Sequence, residues 1–167
     1  TARQLARIQE YLIALRATDD VDTARRLLKQ IVILGTYIKR RSNLVFVCDK
    51  AEDIDTTELR LSLFESAESL RLSDIRCAVQ IADAAKISPA SAVAIYDAFE
   101  AIIEATLPGL QEILFCAEHT AQGWGLRCSV QCTNAPAALP GLPQMQLERD
   151  EDGLLYFTMF PAEGGGL

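Results

Sequence analysis

ASAVAIYDAFEAIIEATL, residues 90–107, is an almost wholly apolar helical segment that carries three carboxylates. Asp97, Glu100 and Glu104 are spaced by three and four residues, and at about 3.6 residues per turn they stack along one narrow stripe. Val93, Ile95, Phe99, Ile102, Ile103 and Leu107 cover most of the remaining circumference. A helix this apolar has to be buried, so the stripe is either its wet edge or the wall of a site. Charged side chains stay in water as a rule, which favours the solvent-facing edge.

The flanks of this segment fix its surroundings. Ser88 and Pro89 supply a cap and a first-turn proline, and Pro108-Gly109 stops the helix. Upstream, TELRLSLFESAESLRLSD predicts a helix capped at Asp55 or Thr56, with Leu59, Leu63 or Phe64, Ala67 and Leu70 on one face. AEDIDT before it is a linker. IRCAVQIA then forms a short strand, and DAAKI a turn. Downstream, LQEILFCAEH and WGLRCSVQCT alternate as an antiparallel hairpin around TAQG. A Pro-rich loop, NAPAALPGLP, separates them from a last hairpin, QMQLERD and LLYFTMF, turning at EDG. Residues 56–161 thus predict an α+β sandwich, helices on one face of a mostly antiparallel sheet, followed by a flexible tail at 162–167.

Residues 1–50 predict a helical hairpin. Leu5, Ile8, Leu12 and Leu15 repeat at steps of three and four over a helix from Ala2 to Ala17. Asp20 or Asp22 caps a second helix, with Leu27, Ile31, Leu34 and Ile38 on its seam. NLVFVC at 43–48 has strand composition, but Val45 and Cys48 continue the seam, which favours one long helix to about Lys50. Two such helices cannot fully bury their seams alone. A symmetric homodimer through residues 2–50, making a four-helix bundle, solves this.

Composition narrows the function. Half of the 167 residues are apolar and the net charge is −7. An acidic surface repels phosphates, which argues against nucleic acid or anionic lipid as the main partner. No apolar stretch approaches the roughly 20 residues that span a bilayer. The chain starts at Thr1 without a Met and enters a helix at once, as an excerpt of a longer protein does. Five cysteines without regular spacing suggest a reduced, cytoplasmic setting rather than a disulfide framework.

The element order and several stretches of text resemble a bacterial sensor histidine kinase, in which a dimerisation and phosphoacceptor hairpin precedes a GHKL-type ATPase domain. ARIQEYLIALR (6–16) is similar to the phosphoacceptor segment R-I-H-D-x-L-G: Arg7, Ile8 and Leu12 match, and Glu10 stands where the acid stands. Gln9 occupies the position of the phosphorylated His. YDAFEAIIEATLPG (96–109) resembles Y-x-x-x-E-A-x-x-N-A-x-x-H, with Tyr96, Glu100, Ala101 and Ala105 matching. Glu104 replaces the Asn and Pro108 the His. Residues 58–81 resemble the first ATPase-domain helix and its following strand.

The resemblance implies that Glu100 stands where a carboxylate helps activate the phosphoacceptor. Glu104 then stands where an Asn holds Mg²⁺ against the nucleotide, so Asp97, Glu100 and Glu104 line a vestigial nucleotide and Mg²⁺ pocket. A carboxylate still suits a hard cation but adds negative charge beside a triphosphate. The adenine-binding Asp and the glycine boxes belong after the hairpin, where SVQCTNAPAALPGLP (129–143) has no Asp and one Gly. With most parts for phosphoryl transfer missing, no cofactor is expected, and ATP-Mg²⁺ only if a kinase reading holds.

Other candidates carry less. Cys116, His119, Cys128 and Cys132 spell a zinc-like pattern, but Cys128 and Cys132 lie four apart on one strand, about 13 Å at 3.3 Å per residue. No metal site is expected. Cys116 and Cys128 are better read as cross-strand neighbours in the core, and His119 as a surface turn residue. Lys39-Arg40-Arg41 is a solvated helix face, or else a contact for an acidic partner or for the sandwich's own carboxylates.

The expected function is a two-component signalling module with lost or impaired ATP binding and no autophosphorylation site. Alternatives are an active ATP-dependent kinase with a non-standard pocket, and a small-ligand sensor. Expected partners are a response regulator or partner kinase, with an upstream sensor or membrane segment outside this excerpt.

Overall fold

A computed structural model describes residues 2–49, 51–83, 86–121, 123–134, 136 and 144–160. Two helices, α1 (Ala2–Ala17) and α2 (Val21–Cys48), form the N-terminal hairpin. Asp20 caps α2 by accepting the Thr23 N–H at 2.9 Å, and the NLVFVC segment is helical, as its seam required. The rest is α+β. β1 (Ile54–Asp55) leads into α3 (Thr56–Arg71), then come β2 (Arg76–Ile81), β3 (Lys86–Ile87) and α4 (Pro89–Thr106). A 3-10 turn at Leu107–Gly109 connects α4 to β4 (Leu110–Thr120) and β5 (Gly123–Cys132). β6 (Gln146–Arg149) and β7 (Leu155–Met159) complete the chain. Most of the Pro-rich loop and the 162–167 tail lie outside the described residues.

The main sheet has the order β2-β4-β5-β7-β6. β2 and β4 are parallel because α4 carries the chain back between them, and the other neighbours are antiparallel hairpin partners. β1 and β3, expected as linker and turn, pair antiparallel through Ile54↔Ile87 and Asp55↔Lys86. This two-residue ladder fixes the starts of α3 and α4 side by side. Asp55 caps α3 by accepting the Thr57 N–H, and Ser88 caps α4 by accepting the Ser91 N–H.

α3 and α4 cover the inner face of the sheet. Leu59, Leu63, Ala67 and Leu70 of α3 are fully buried, so the face runs through Leu63 and leaves Phe64 outside. Phe99 of α4 meets Phe115 of β4 edge to face, with centroids 4.9 Å apart. α2 joins the same core through Ile33, Tyr37 and Leu44, a second face beyond the Leu27/Leu34 seam. Leu5 and Leu12 of α1 and Leu28 and Val32 of α2 remain exposed.

The expected pairing of Cys116 with Cys128 is wrong by one residue. Thr120 pairs with Gly123, which sets Cys128 opposite Phe115 and Cys116 opposite Arg127. A one-residue difference in register moves a side chain to the other face of a sheet. Cys128 is therefore buried with the core while Cys116 lies half-buried on the outer face, and both are free thiols. His119 is exposed as expected, its ring tilted against Trp124.

The core assignment predicts that Phe99→Ala lowers unfolding free energy by about 3–5 kcal/mol in urea titrations. Leu72→Ala, at a side chain that is 79% exposed, stays within about 0.5 kcal/mol of the parent. Equal effects at the two sites would contradict this packing.

Candidate functional site

The acidic stripe of α4 does not face solvent. Glu100 is 2% exposed and Glu104 8%, and Asp97 is half-buried. The sheet side of α4 is taken up by Ile95, Phe99 and Ile102, so the stripe lies on the side that meets the N-terminal hairpin. The solvent-facing edge that composition favoured is thus replaced by an internal interface. α4 is apolar enough to be covered on both sides, and its carboxylates are covered with it.

Each carboxylate has a different environment. Arg41 of α2 grips Asp97 bidentately, Nε donating to Oδ1 at 2.7 Å and Nη2 to Oδ2 at 2.9 Å. The Tyr37 hydroxyl donates to the same Oδ1 at 2.9 Å. This fork geometry gives a stronger pair than a single contact. Burial first, and then the Asp97 charge, raise the Tyr37 phenol well above its ordinary range, so it remains a hydrogen-bond donor. The Tyr37 ring stacks on Tyr96 at 5.5 Å, and Tyr96 shares a 2.7 Å hydrogen bond with Ser66 of α3. Beside them Arg40 pairs with Glu65 of α3.

At the other end of the stripe, Glu104 meets α1. Arg3 Nη2 lies 3.4 Å from Glu104 Oε2, while Glu104 Oε1 and the neighbouring α1 group Gln4 Oε1 are buried with no hydrogen-bond partner among the described residues. Arg7, Tyr11, Gln30 and Leu34 close over Glu104 and Leu107, leaving a space of about 10 Å³. That is room for at most a single water.

Glu100 sits between these two ends and has neither cation. Its Oε1 is enclosed without a partner among the described residues. Burial, followed by the charges of Glu104 and Asp97, raises its carboxyl pKa well above the ordinary range. An isolated carboxylate in such surroundings takes up a proton rather than stay charged.

The three carboxylates do not fit ATP-Mg²⁺ in this arrangement. Asp97 is saturated by Arg41 and Tyr37, Glu104 faces Arg3, and Glu100 is enclosed and disposed to be neutral. A nucleotide needs a cleft of several hundred Å³, and the hairpin occupies that side of α4. Among the described residues no group of three or more His, Cys, Asp or Glu is arranged to hold a metal ion.

Gln9, which the sequence resemblance set at a phosphoacceptor position, is exposed on α1. At ~100° per residue it lies about half a turn from the side that carries Gln4, Arg7 and Tyr11 toward α4. The structure therefore brings Asp97, Glu100 and Glu104 together and leaves Gln9 apart. Sequence reasoning missed Arg3, Tyr37 and Ser66. Its alternative for the basic run, contact with the sandwich's own carboxylates, is what Arg40 and Arg41 do, while Lys39 is exposed.

No protein-family model matches the sequence, and no curated protein matches it. Solved structures do match. A bacterial phosphotransferase superposes with a TM-score of 0.53 at 9% identity, covering 94% of this chain and 88% of its own. The histidine kinase domain of the blue-light activated kinase of Erythrobacter litoralis EL346 gives 0.49 at 12% identity, covering 93% and 89%. Histidine kinase ThkA in complex with response regulator protein TrrA gives 0.43 at 14% identity, covering 93% of this chain and 56% of its own. At such identities the likeness is one of fold. What the chain shares with the bacterial phosphotransferase over 94% of its length is this architecture, a helical hairpin followed by an α+β sandwich, as the element order implied.

Proposed function

We propose that this chain is a signalling module of the histidine-kinase type that transmits a conformational signal without binding nucleotide or phosphorylating itself. The observation that carries this reading is the roofing of α4's acidic stripe by the chain's own hairpin, through Arg41 on Asp97 and Arg3 on Glu104. Residue chemistry supports it. Gln9 has no imidazole to accept a phosphoryl group, and Glu104 sets a carboxylate where the family uses a neutral amide. In this reading, phosphoryl transfer of the histidine-kinase type needs groups that Gln9 and Glu104 replace.

In this reading the module is a homodimer through residues 2–50, works in the cytoplasm or as the cytoplasmic portion of a membrane protein, and partners a response regulator or another kinase. Leu5, Leu12, Leu28 and Val32 support the dimer, since each leaves large apolar area on the hairpin. Among the described residues no helix is long and apolar enough to cross a membrane.

A second reading, a small-ligand sensor, is favoured by a cleft of about 270 Å³ between α2 and the α3–β2 turn. Arg25, Arg26 and Lys29 rim it over a floor of Ile33, Ile75 and Leu110. Native mass spectrometry of the purified protein distinguishes this reading by a co-purified small molecule.

Calorimetry with ATP and Mg²⁺ is expected to give no binding heat at millimolar nucleotide. Micromolar binding that disappears in Glu100→Ala would instead establish an active pocket and overturn the proposal. Sedimentation at tens of micromolar protein is expected to show a dimer, and a monomer at that concentration contradicts the four-helix bundle.

A further inference from the structure

The interface between the hairpin and α4 combines two ion pairs with an unpaired carboxyl. Arg41–Asp97 and Arg3–Glu104 hold its ends, and Glu100 lies between them with Oε1 enclosed and unpartnered. The charged and titratable groups around Glu100 can be named element by element. α4 itself contributes Asp97 and Glu104, both like-charged, and Tyr96. α2 contributes Tyr37, within electrostatic reach of Glu100, and Arg41, whose fork is spent on Asp97. α3 contributes Glu65, taken up by Arg40, and α1 contributes Arg3, directed to Glu104, with Arg7 and Tyr11 hydrogen-bonded to each other at 3.1 Å beside Glu104. Among the described residues none of these groups forms an ion pair with Glu100.

We propose that Glu100 makes the hairpin a proton-dependent latch: α1 and α2 stay seated on α4 while the Glu100 carboxyl is neutral, and release α4 when it gives its proton to solvent. Ionisation in the seated state adds a buried negative charge to a stripe whose two ion pairs, Arg41–Asp97 and Arg3–Glu104, do not include Glu100. In the released state water solvates all three carboxylates. The seated state therefore binds the Glu100 proton more tightly than the released state does, in agreement with the upward direction of its pKa.

The sign follows from that difference. A carboxyl whose pKa is raised by docking stabilises the docked state fully below its ordinary range, and the stabilisation is lost as pH rises toward the raised value. Over that window the released fraction grows by up to about tenfold per pH unit for a single proton. This behaviour concerns the hairpin and α4 alone and holds whether or not nucleotide binds.

Hydrogen exchange of the whole chain between about pH 5.5 and about pH 8, corrected for intrinsic exchange rates, tests the latch. The amides of α4 over 97–104 and of α2 over 33–41 are expected to lose protection with rising pH, and those of the β4–β5 hairpin to serve as a reference. Glu100→Gln, an uncharged isostere of the neutral carboxyl, is expected to keep α4 protected and flatten the profile. Glu100→Met removes the ionisable group without needing a hydrogen-bond partner, and it serves the same purpose if the amide is not tolerated. A wild-type profile that is already flat overturns the proposal, as does a folded variant that retains the wild-type slope.

Discussion

The rest of the structure depends on the burial of α4 on both sides. Its apolar residues pack on the sheet through Phe99, and the opposite side carries Asp97, Glu100 and Glu104 into the protein as well. Buried carboxylates need partners or protons. The hairpin meets that requirement unevenly among the described residues: a guanidinium fork and a phenol for Asp97, one distant guanidinium contact for Glu104, and no ion pair for Glu100, whose Oε1 is unpartnered. That unevenness gives the interface its character. It is held firmly at the Asp97 end, where Tyr37 and Tyr96 also stack, and more loosely at the Glu104 end, where Arg3 is itself largely exposed.

The same burial links fold to function. The sequence resemblance implies a vestigial nucleotide pocket along the side of α4 that carries the stripe. Here α2 lies there, contributing Ile33, Tyr37 and Leu44 to the common hydrophobic core. The hairpin is consequently more than a dimerisation appendage, because one of its helices completes the sandwich. Arg40–Glu65 and Lys29–Asp74 tie α2 to α3 and to the turn after it along the same contact. α2 therefore contacts both α3 and α4, the two helices of the sandwich.

Much of the fold was legible in the sequence because its signals are local. Asp20, Asp55 and Ser88 stand at helix starts, Pro108-Gly109 marks a stop, and alternation marks β4, β5 and β7. Three features were not legible. The β1–β3 ladder is two residues long and has no periodicity to detect. The register of β4 and β5 depends on the turn geometry, so Cys116 and Cys128 were assigned to the same face when they lie on opposite ones. The burial of the acidic stripe depends on α2's second face, Ile33, Tyr37 and Leu44, which is obscured by the stronger Leu27–Leu34 seam beside it. Tyr37 and Arg41 are four residues apart and so share a side of α2. That spacing, read together with the acidic stripe and the basic run at 39–41, points to their common target.

The central claim is that the hairpin is seated on the acidic stripe, and a double-mutant cycle between Arg41 and Asp97 tests it most directly. Unfolding free energies of Arg41→Ala, Asp97→Ala and the double variant give the coupling between two residues that are 56 positions apart in sequence. A fork geometry at 2.7 and 2.9 Å, two-thirds or more buried on both sides, predicts a favourable coupling of about 1–3 kcal/mol. Additive single effects, with no coupling within error, would mean that α2 does not rest on α4 in solution and would contradict the account.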